Sequence, residues 1–319
     1  FFNPPRYLEL LELIPTAETK PEVIAFLTDF GDRKLGKTVV LCKDTPAFIG
    51  NRVGVYSMLA LTHLVEQLGL SVEEVDKYTG PAMGHPKSAT FRTADVVGLD
   101  TLVNVANGLL QNAPEDEAKG VFELPTFITS MVDKKWLGEK TKQGFYKKEK
   151  DAQGNSVILS LALKTLSYGE QKKIKSATLE ATKAVEDIRK RMKVYEQGAD
   201  AAGTLFRAMH YPLFEYVSNR VPEITDNFYR IDDAMRAGFG WELGPFEVWD
   251  ALGVQETISK IQAEEKRLPG QTGEVAAWVH EMLASGCASF YKVIDGVKHY
   301  YDIPSKGYLP IPGAADLIV

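Results

Sequence analysis

One stretch of the chain occurs twice. VDKYTGPAMGHPKSATFRTADVVGLDT at 75–101 is echoed by IDDAMRAGFGWELGPFEVWDALGVQET at 231–257. Asp76 aligns with Asp232, Gly84 with Gly240, Asp95 with Asp250 and Gly98 with Gly253, with a one-residue slip of the kind a loop insertion produces. Each copy follows a long apolar helical segment and reads as helix, glycine turn, helix, glycine stop. A single duplication of this kind describes two related domains; a solenoid stacks several short repeats. A chain of 319 residues has room for about two or three cores of ordinary size.

Ahead of the first copy the pattern differs. Residues 7–14 read as a strand ending at Pro15, with Leu8, Leu10, Glu12 and Ile14 on one face. Residues 21–35 read as a helix with a broad apolar stripe of Val23, Ile24, Phe26, Leu27 and Phe30, ended by Gly36. The β-branched run at 38–42 is a second strand. Strand, helix and strand with tight connections mark the close of an α/β domain.

Beyond it the chain reads as helical. Thr45 is placed as an N-cap with Pro46 at the first helical position, opening a helix to about residue 68. Ser71 and Glu74 have capping-box spacing. Further helices fit 89–97, stopped by Gly98, and 125–132, and Gly144-Phe145-Tyr146 is extended. After a polar loop at 151–155, the lysine-rich stretch to residue 197 reads as a solvated linker helix with a Val185, Ile188, Met192, Tyr195 stripe. The expected division is therefore 1–44, the end of a dinucleotide-binding domain; 45–150, the first helical domain; 151–200, a helical linker; and 201–319, a second, degenerate helical copy.

Composition narrows the function. The net charge is -6, without the clustered excess of Lys and Arg that a nucleic-acid binder shows. No apolar run approaches the ~20 residues that span a bilayer. Cys42 and Cys287 form neither a zinc nor a disulfide pattern, which fits a cytoplasmic location. Cys42, ending an apolar strand, reads as buried and inert, and Trp241 and Trp249 read as core of the second copy. His85, in the Gly84-His85-Pro86 turn, reads as structural, and the other histidines have no metal-ligand spacing. No GxGxxG, GxxxxGK or GxSxG motif is present.

Two side chains stand out chemically. Glu12 lies on an apolar strand face, where a carboxylate must be paired or have a raised pKa. Either state suits a group that holds a catalytic histidine in one orientation; a strand-end carboxylate facing solvent is the plainer alternative, and Glu9 is placed as well as Glu12 for that. Asn51 sits in an apolar helix where asparagine is a poor helix former unless its amide has a partner. That partner is a substrate carbonyl oxygen or nearby backbone.

The opening FFNPPRYLELLELIP resembles the segment that follows the catalytic histidine of 3-hydroxyacyl-CoA dehydrogenases, whose motif reads His-Phe-Phe-Asn-Pro and ends in a Glu. The resemblance continues through CKDTPAFIGNR (42–52), the helix-turn unit at 71–101 and KTKQGFYKK (140–148). It implies a mainly α fold: tandem helical domains like the C-terminal domain of 6-phosphogluconate dehydrogenase, preceded by the last strand-helix-strand of a Rossmann-type domain. It implies catalytic-site roles for Glu12, pairing with the histidine, and Asn51, contacting the substrate, in NAD-dependent oxidation of (S)-3-hydroxyacyl-CoA to 3-ketoacyl-CoA. The family's histidine, serine and glycine-rich loop lie upstream, so the chain by itself is expected to be an inactive fragment that holds NAD poorly. Its end, GYLPIPGAADLIV, also looks cut. The tandem units look like the large multifunctional fatty-acid oxidation proteins, in which the first copy is catalytic and the second packs against it. Short-chain members carry a Met-Gly-Pro-Phe-Glu-type stretch; here the second copy keeps Leu243-Gly244-Pro245-Phe246-Glu247, whereas the first has Gly84 to Arg92. Expected partners are an acyl-CoA, a second copy of the chain, and an enoyl-CoA hydratase module beyond either end. Two alternatives stand beside this: a 3-hydroxybutyryl-CoA dehydrogenase, and a non-catalytic helical dimerisation or assembly module.

Overall fold

A computed structural model describes residues 1–313; the final residues of the GYLPIPGAADLIV end, 314–319, lie outside the described residues. The chain opens with β1 (Leu10–Leu13), α1 (Pro21–Asp29) and β2 (Thr38–Leu41). The helices α2 (Gly50–Gln67), α3 (Val72–Tyr78), α4 (Phe91–Val97), α5 (Leu99–Asn112) and α6 (Thr126–Asp133) follow. Strands β3 (Tyr146–Lys150), β4 (Ser156–Ala162) and β5 (Ser167–Glu170) precede α7 (Ala177–Thr182) and α8 (Ile188–Glu196). Then come α9 (Ala201–Asn219), α10 (Tyr229–Phe239), α11 (Pro245–Leu252), α12 (Val254–Ala263), α13 (Ala277–Ala284), β6 (Tyr291–Ile294), β7 (Val297–Asp302) and β8 (Gly307–Pro310).

The compact units do not follow the sequential division. One gathers Phe1–Val53, His210–Lys266 and the chain from Thr272; the other gathers Gly54–Met209 and Arg267–Gln271.

In the first unit β1 and β2 pair in parallel, Leu10 opposite Thr38 and Glu12 opposite Val40. Leu10 and Leu11 are both buried, so this strand is covered on two faces, as parallel strands are, and the single apolar face read from alternation is only half of its burial. Helix α1 is shorter than the residues 21–35 expected; it continues as a π-helical turn, Phe30–Lys34, and lies on the sheet at Gly31. A Cβ there would come within 2.7 Å of Val39 and 2.9 Å of Leu11. The expected stripe is not core: Val23, Phe26, Leu27 and Phe30 are exposed. The second copy supplies the aromatic centre of this unit. Phe228 stacks on Trp278 at 5.7 Å, Phe246 meets Phe290 edge-on at 4.9 Å, and Trp249 lies 5.0 Å from Phe290. Trp249 is fully buried as expected, but Trp241 is half-buried.

In the second unit the capping box forms as read: Ser71 Oγ accepts from Glu74 N at 3.3 Å and Glu74 Oε2 accepts from Ser71 N at 2.8 Å. Residues 151–200 are not a helical linker. Asp151 turns the chain by accepting from the Gln153 and Asn155 N–H groups, and β3, β4 and β5 form an antiparallel meander. Val157, Leu159 and Leu161 alternate along β4, but the apolar and exposed Ile158 between them hides the period of two. Of the expected stripe, Met192 and Tyr195 are buried on α8, where the Tyr195 hydroxyl donates to Tyr78 O at 3.0 Å.

The duplication extends past the aligned motif, because the second copy ends in the same kind of meander, β6-β7-β8. The aligned residues are the joints of the repeat. Asp76 accepts from the N–H groups of Thr90, Phe91 and Arg92 and from the Tyr146 hydroxyl at 2.8 Å. Asp232 does the same for Phe246 and Glu247 N–H and the Tyr291 hydroxyl at 2.7 Å. Asp95 takes the Phe145 and Tyr146 N–H groups, and Asp250 takes those of Phe290 and Tyr291. Gly84 and Gly240 are both left-handed, φ 78° and 67°, so each ends its turn where a side chain would be strained. His85, next to Gly84, is half-buried in that turn.

Candidate functional site

Glu12 and Asn51 belong to the same unit, at the start of α2. That start is not built as expected. Helix α2 begins at Gly50, not after Thr45, and the Thr45 hydroxyl is buried with no hydrogen-bond partner among the described residues. The reason is the backbone after Pro46: Ala47 and Phe48 are both left-handed, φ 62° and 53°. Two such non-glycine residues cost on the order of 1–2 kcal/mol each and persist only where neighbours hold them.

Glu12 is one holder. Its Oε1 accepts from Ile49 N at 3.0 Å and Gly50 N at 2.8 Å, and the Cys42 thiol points at the same oxygen from 3.6 Å. A carboxylate from a distant strand thus caps the positive end of α2. Oε2 makes no hydrogen bond to any described residue. Glu12 is half-buried, while Glu9 is exposed, which separates the two glutamates that pattern left equivalent. Burial pushes the Glu12 carboxyl above its ordinary value, against the opposing pull of the Gly50 and Ile49 N–H groups. Cys42 is buried, and burial together with Glu12 pushes its thiol up, so it stays protonated and unreactive.

Asn51 lies in the first turn of α2, a turn earlier than the sequence suggested. It is half-buried, and its side-chain amide makes no hydrogen bond to any described residue.

Sequence reasoning missed the next residue. Arg52 is fully buried, with Nε donating to the Tyr216 hydroxyl at 2.8 Å, Nη1 to Pro46 O at 3.3 Å and Nη2 to Glu223 Oε1 at 3.0 Å. An arginine inside the apolar run that opens α2 was the available signal, because a guanidinium there must find acceptors.

The β1–α1 junction tests the fit of a dinucleotide. Residues 14–20 hold no glycine and turn through Thr19 Oγ1 accepting from Thr16 N at 3.0 Å. This junction is not a glycine-rich pyrophosphate cradle. Among the described residues no group of His, Cys, Asp or Glu could hold a metal ion, and no helix is long and apolar enough to cross a membrane.

Residues 48–148 and 206–292 match the sequence model of the 3-hydroxyacyl-CoA dehydrogenase C-terminal domain, and residues 1–45 match that family's NAD-binding domain. The chain belongs to the 3-hydroxyacyl-CoA dehydrogenase family, and it carries sequence of both domains. It is 45% identical over 302 residues to a protein named as a 3-hydroxyacyl-CoA dehydrogenase in Bacillus subtilis, covering 95% of this chain and 37% of that one. It is 32% identical over 249 residues to a protein named as a fatty acid oxidation complex trifunctional enzyme in Rickettsia felis, 78% of this chain and 33% of that one. The chain thus spans about a third of the length of these two relatives. A solved 3-hydroxybutyryl-CoA dehydrogenase from Escherichia coli K12 shares the fold, with a TM-score of 0.56 and 21% identity over 90% of this chain and 70% of that one.

Proposed function

We propose that these residues form the helical part of an NAD-dependent oxidoreductase that converts (S)-3-hydroxyacyl-CoA to 3-ketoacyl-CoA in fatty-acid oxidation. The observation that carries the reading is the start of α2: a half-buried carboxylate with one oxygen committed to the helix end and one oxygen open, beside a helix whose first turn presents an uncommitted amide. NAD, when bound, accepts the hydride. Glu12 offers Oε2 to orient an acid–base group, the role for which its raised pKa and fixed position suit it. The Asn51 amide donates to the substrate's C3 oxygen, which is a hydroxyl in the oxidation and the carbonyl oxygen on which charge grows when hydride is returned in the reverse direction. The multifunctional reading is supported by the trifunctional relative and by the duplication, with a hydratase module, an oligomer and a cytoplasmic setting as further parts of the proposal.

The test is NADH oxidation with a 3-ketoacyl-CoA by the full protein that carries this chain. Asn51→Ala and Glu12→Gln should each lower kcat by on the order of 10²-fold with the melting transition intact. Unchanged turnover in both variants would remove these residues from the site. A series of acyl chain lengths separates the long-chain reading from a 3-hydroxybutyryl-CoA specificity.

A further inference from the structure

The Asn51 side chain makes no hydrogen bond to any described residue, so its direction is set by the backbone of the turn it grows from. That turn is clamped from two sides. Glu12 holds the N–H groups of Ile49 and Gly50. Arg52 holds the other side: its main-chain N–H donates to Ala47 O at 3.2 Å and its Nη1 to Pro46 O at 3.3 Å, so one residue ties down the carbonyls of the two peptides that lead into the left-handed residues Ala47 and Phe48.

The Arg52 guanidinium is held in turn by residues of the second copy, 201–319 in the sequential division. Tyr216, on α9, is fully buried and takes Nε; Glu223 takes Nη2 and also receives Arg220 Nη1 at 2.5 Å through its other oxygen. A buried guanidinium is stiff only while its fork is matched by acceptors.

We infer that Tyr216 and Glu223, acting through Arg52, are positioning residues that fix the direction of Asn51. This gives the second copy a part in the reaction of the first, and it rests on the reading of Asn51 given above. A merely structural ion pair would stabilise the fold without regard to Asn51.

A kinetic double-mutant cycle in the full protein separates the two. Tyr216→Phe removes one hydroxyl, and Glu223→Gln removes one charge from a half-exposed position; neither empties a core. Each should lower kcat about tenfold with a smaller change in KM, because small misplacement of a positioned group is costly. In an Asn51→Ala background the same substitutions should cost nothing further. Wild-type kcat in both variants, or equal losses with and without Asn51, would overturn the inference while leaving the proposed function in place. A silent Asn51→Ala would sink both together.

Discussion

At the start of α4, Arg92 lays its guanidinium 4.4 Å from the Tyr146 ring centroid. At the matching place on α11 stands Glu247, buried and gripped by Arg236 at 2.5 Å and Lys298 at 2.6 Å, and it is Lys298 that lies over the Tyr291 ring at 4.2 Å. The partner positions differ in step: Lys298 faces Val293 across β6–β7 where Ile158 faces Lys148 across β3–β4. In the first copy this space is a cavity of ≈ 400 Å³ lined by Arg92, Lys142, Tyr146 and Ile158 among others. In the second, Glu247 also closes α11 by accepting from Gly244 N at 3.0 Å. Both copies keep the same aspartate-to-backbone joints. The comparison teaches that the joint tolerates opposite charges just beyond it, because what it recognises is main-chain N–H and one tyrosine hydroxyl.

The largest difference expected between the copies is in stability. Glu247→Ala leaves Arg236 and Lys298 without their shared carboxylate and should cost about 3 kcal/mol in urea unfolding, whereas Arg92→Ala removes a half-exposed cation–π contact worth about 1 kcal/mol or less. Equal losses at the two positions would break the comparison.

A pH difference should be next in size. Burial raises Asp95 to about 6 and Asp250 to about 7. Each is therefore protonated in the fold at a pH where the unfolded chain's aspartates have ionised. Its stabilising share is complete below the unfolded value, ~3.9, and is lost as pH rises through the folded value, at up to about 1.4 kcal/mol per pH unit for each group. A carbon-detected NMR titration should find Asp95 ionising before Asp250. The reverse order would mean that burial and the Glu247 carboxylate do not raise the joint of the second copy further than that of the first.

The smallest effect concerns the helix ahead of each joint. Ser71→Ala removes the cap of α3 and should cost about 1 kcal/mol by thermal unfolding. The corresponding α10 has Phe228 at its N-cap position with no side-chain cap, and Phe228 packs in the aromatic cluster instead. A Ser71→Ala variant with unchanged melting would show that packing alone also suffices for α3.

Much of this was legible because it is local. The capping box, the glycine turns and the strand-helix-strand each depend on residues a few positions apart. Thr45-Pro46 shows where that logic stops: it has the form of a helix start, yet the left-handed pair at Ala47 and Phe48 follows it. The lysine-rich stretch after residue 150 failed for a different reason, since charge on the exposed edges of a small meander looks like charge on a helix face.

The sequence by itself determined the duplication, the chain's family and the two residues, Glu12 and Asn51, around which a site could be argued. The tertiary structure decided what holds them. Ser71 and Glu74 are partners at a separation of 3, which any reader of the chain can see. Glu12 reaches Ile49 and Gly50 at separations of 37 and 38, and Arg52 reaches Tyr216 and Glu223 at 164 and 171. Nothing in a linear pattern marks such pairs. Burial selects them, because a buried helix end and a buried guanidinium must each be satisfied by whatever acceptor the fold brings near.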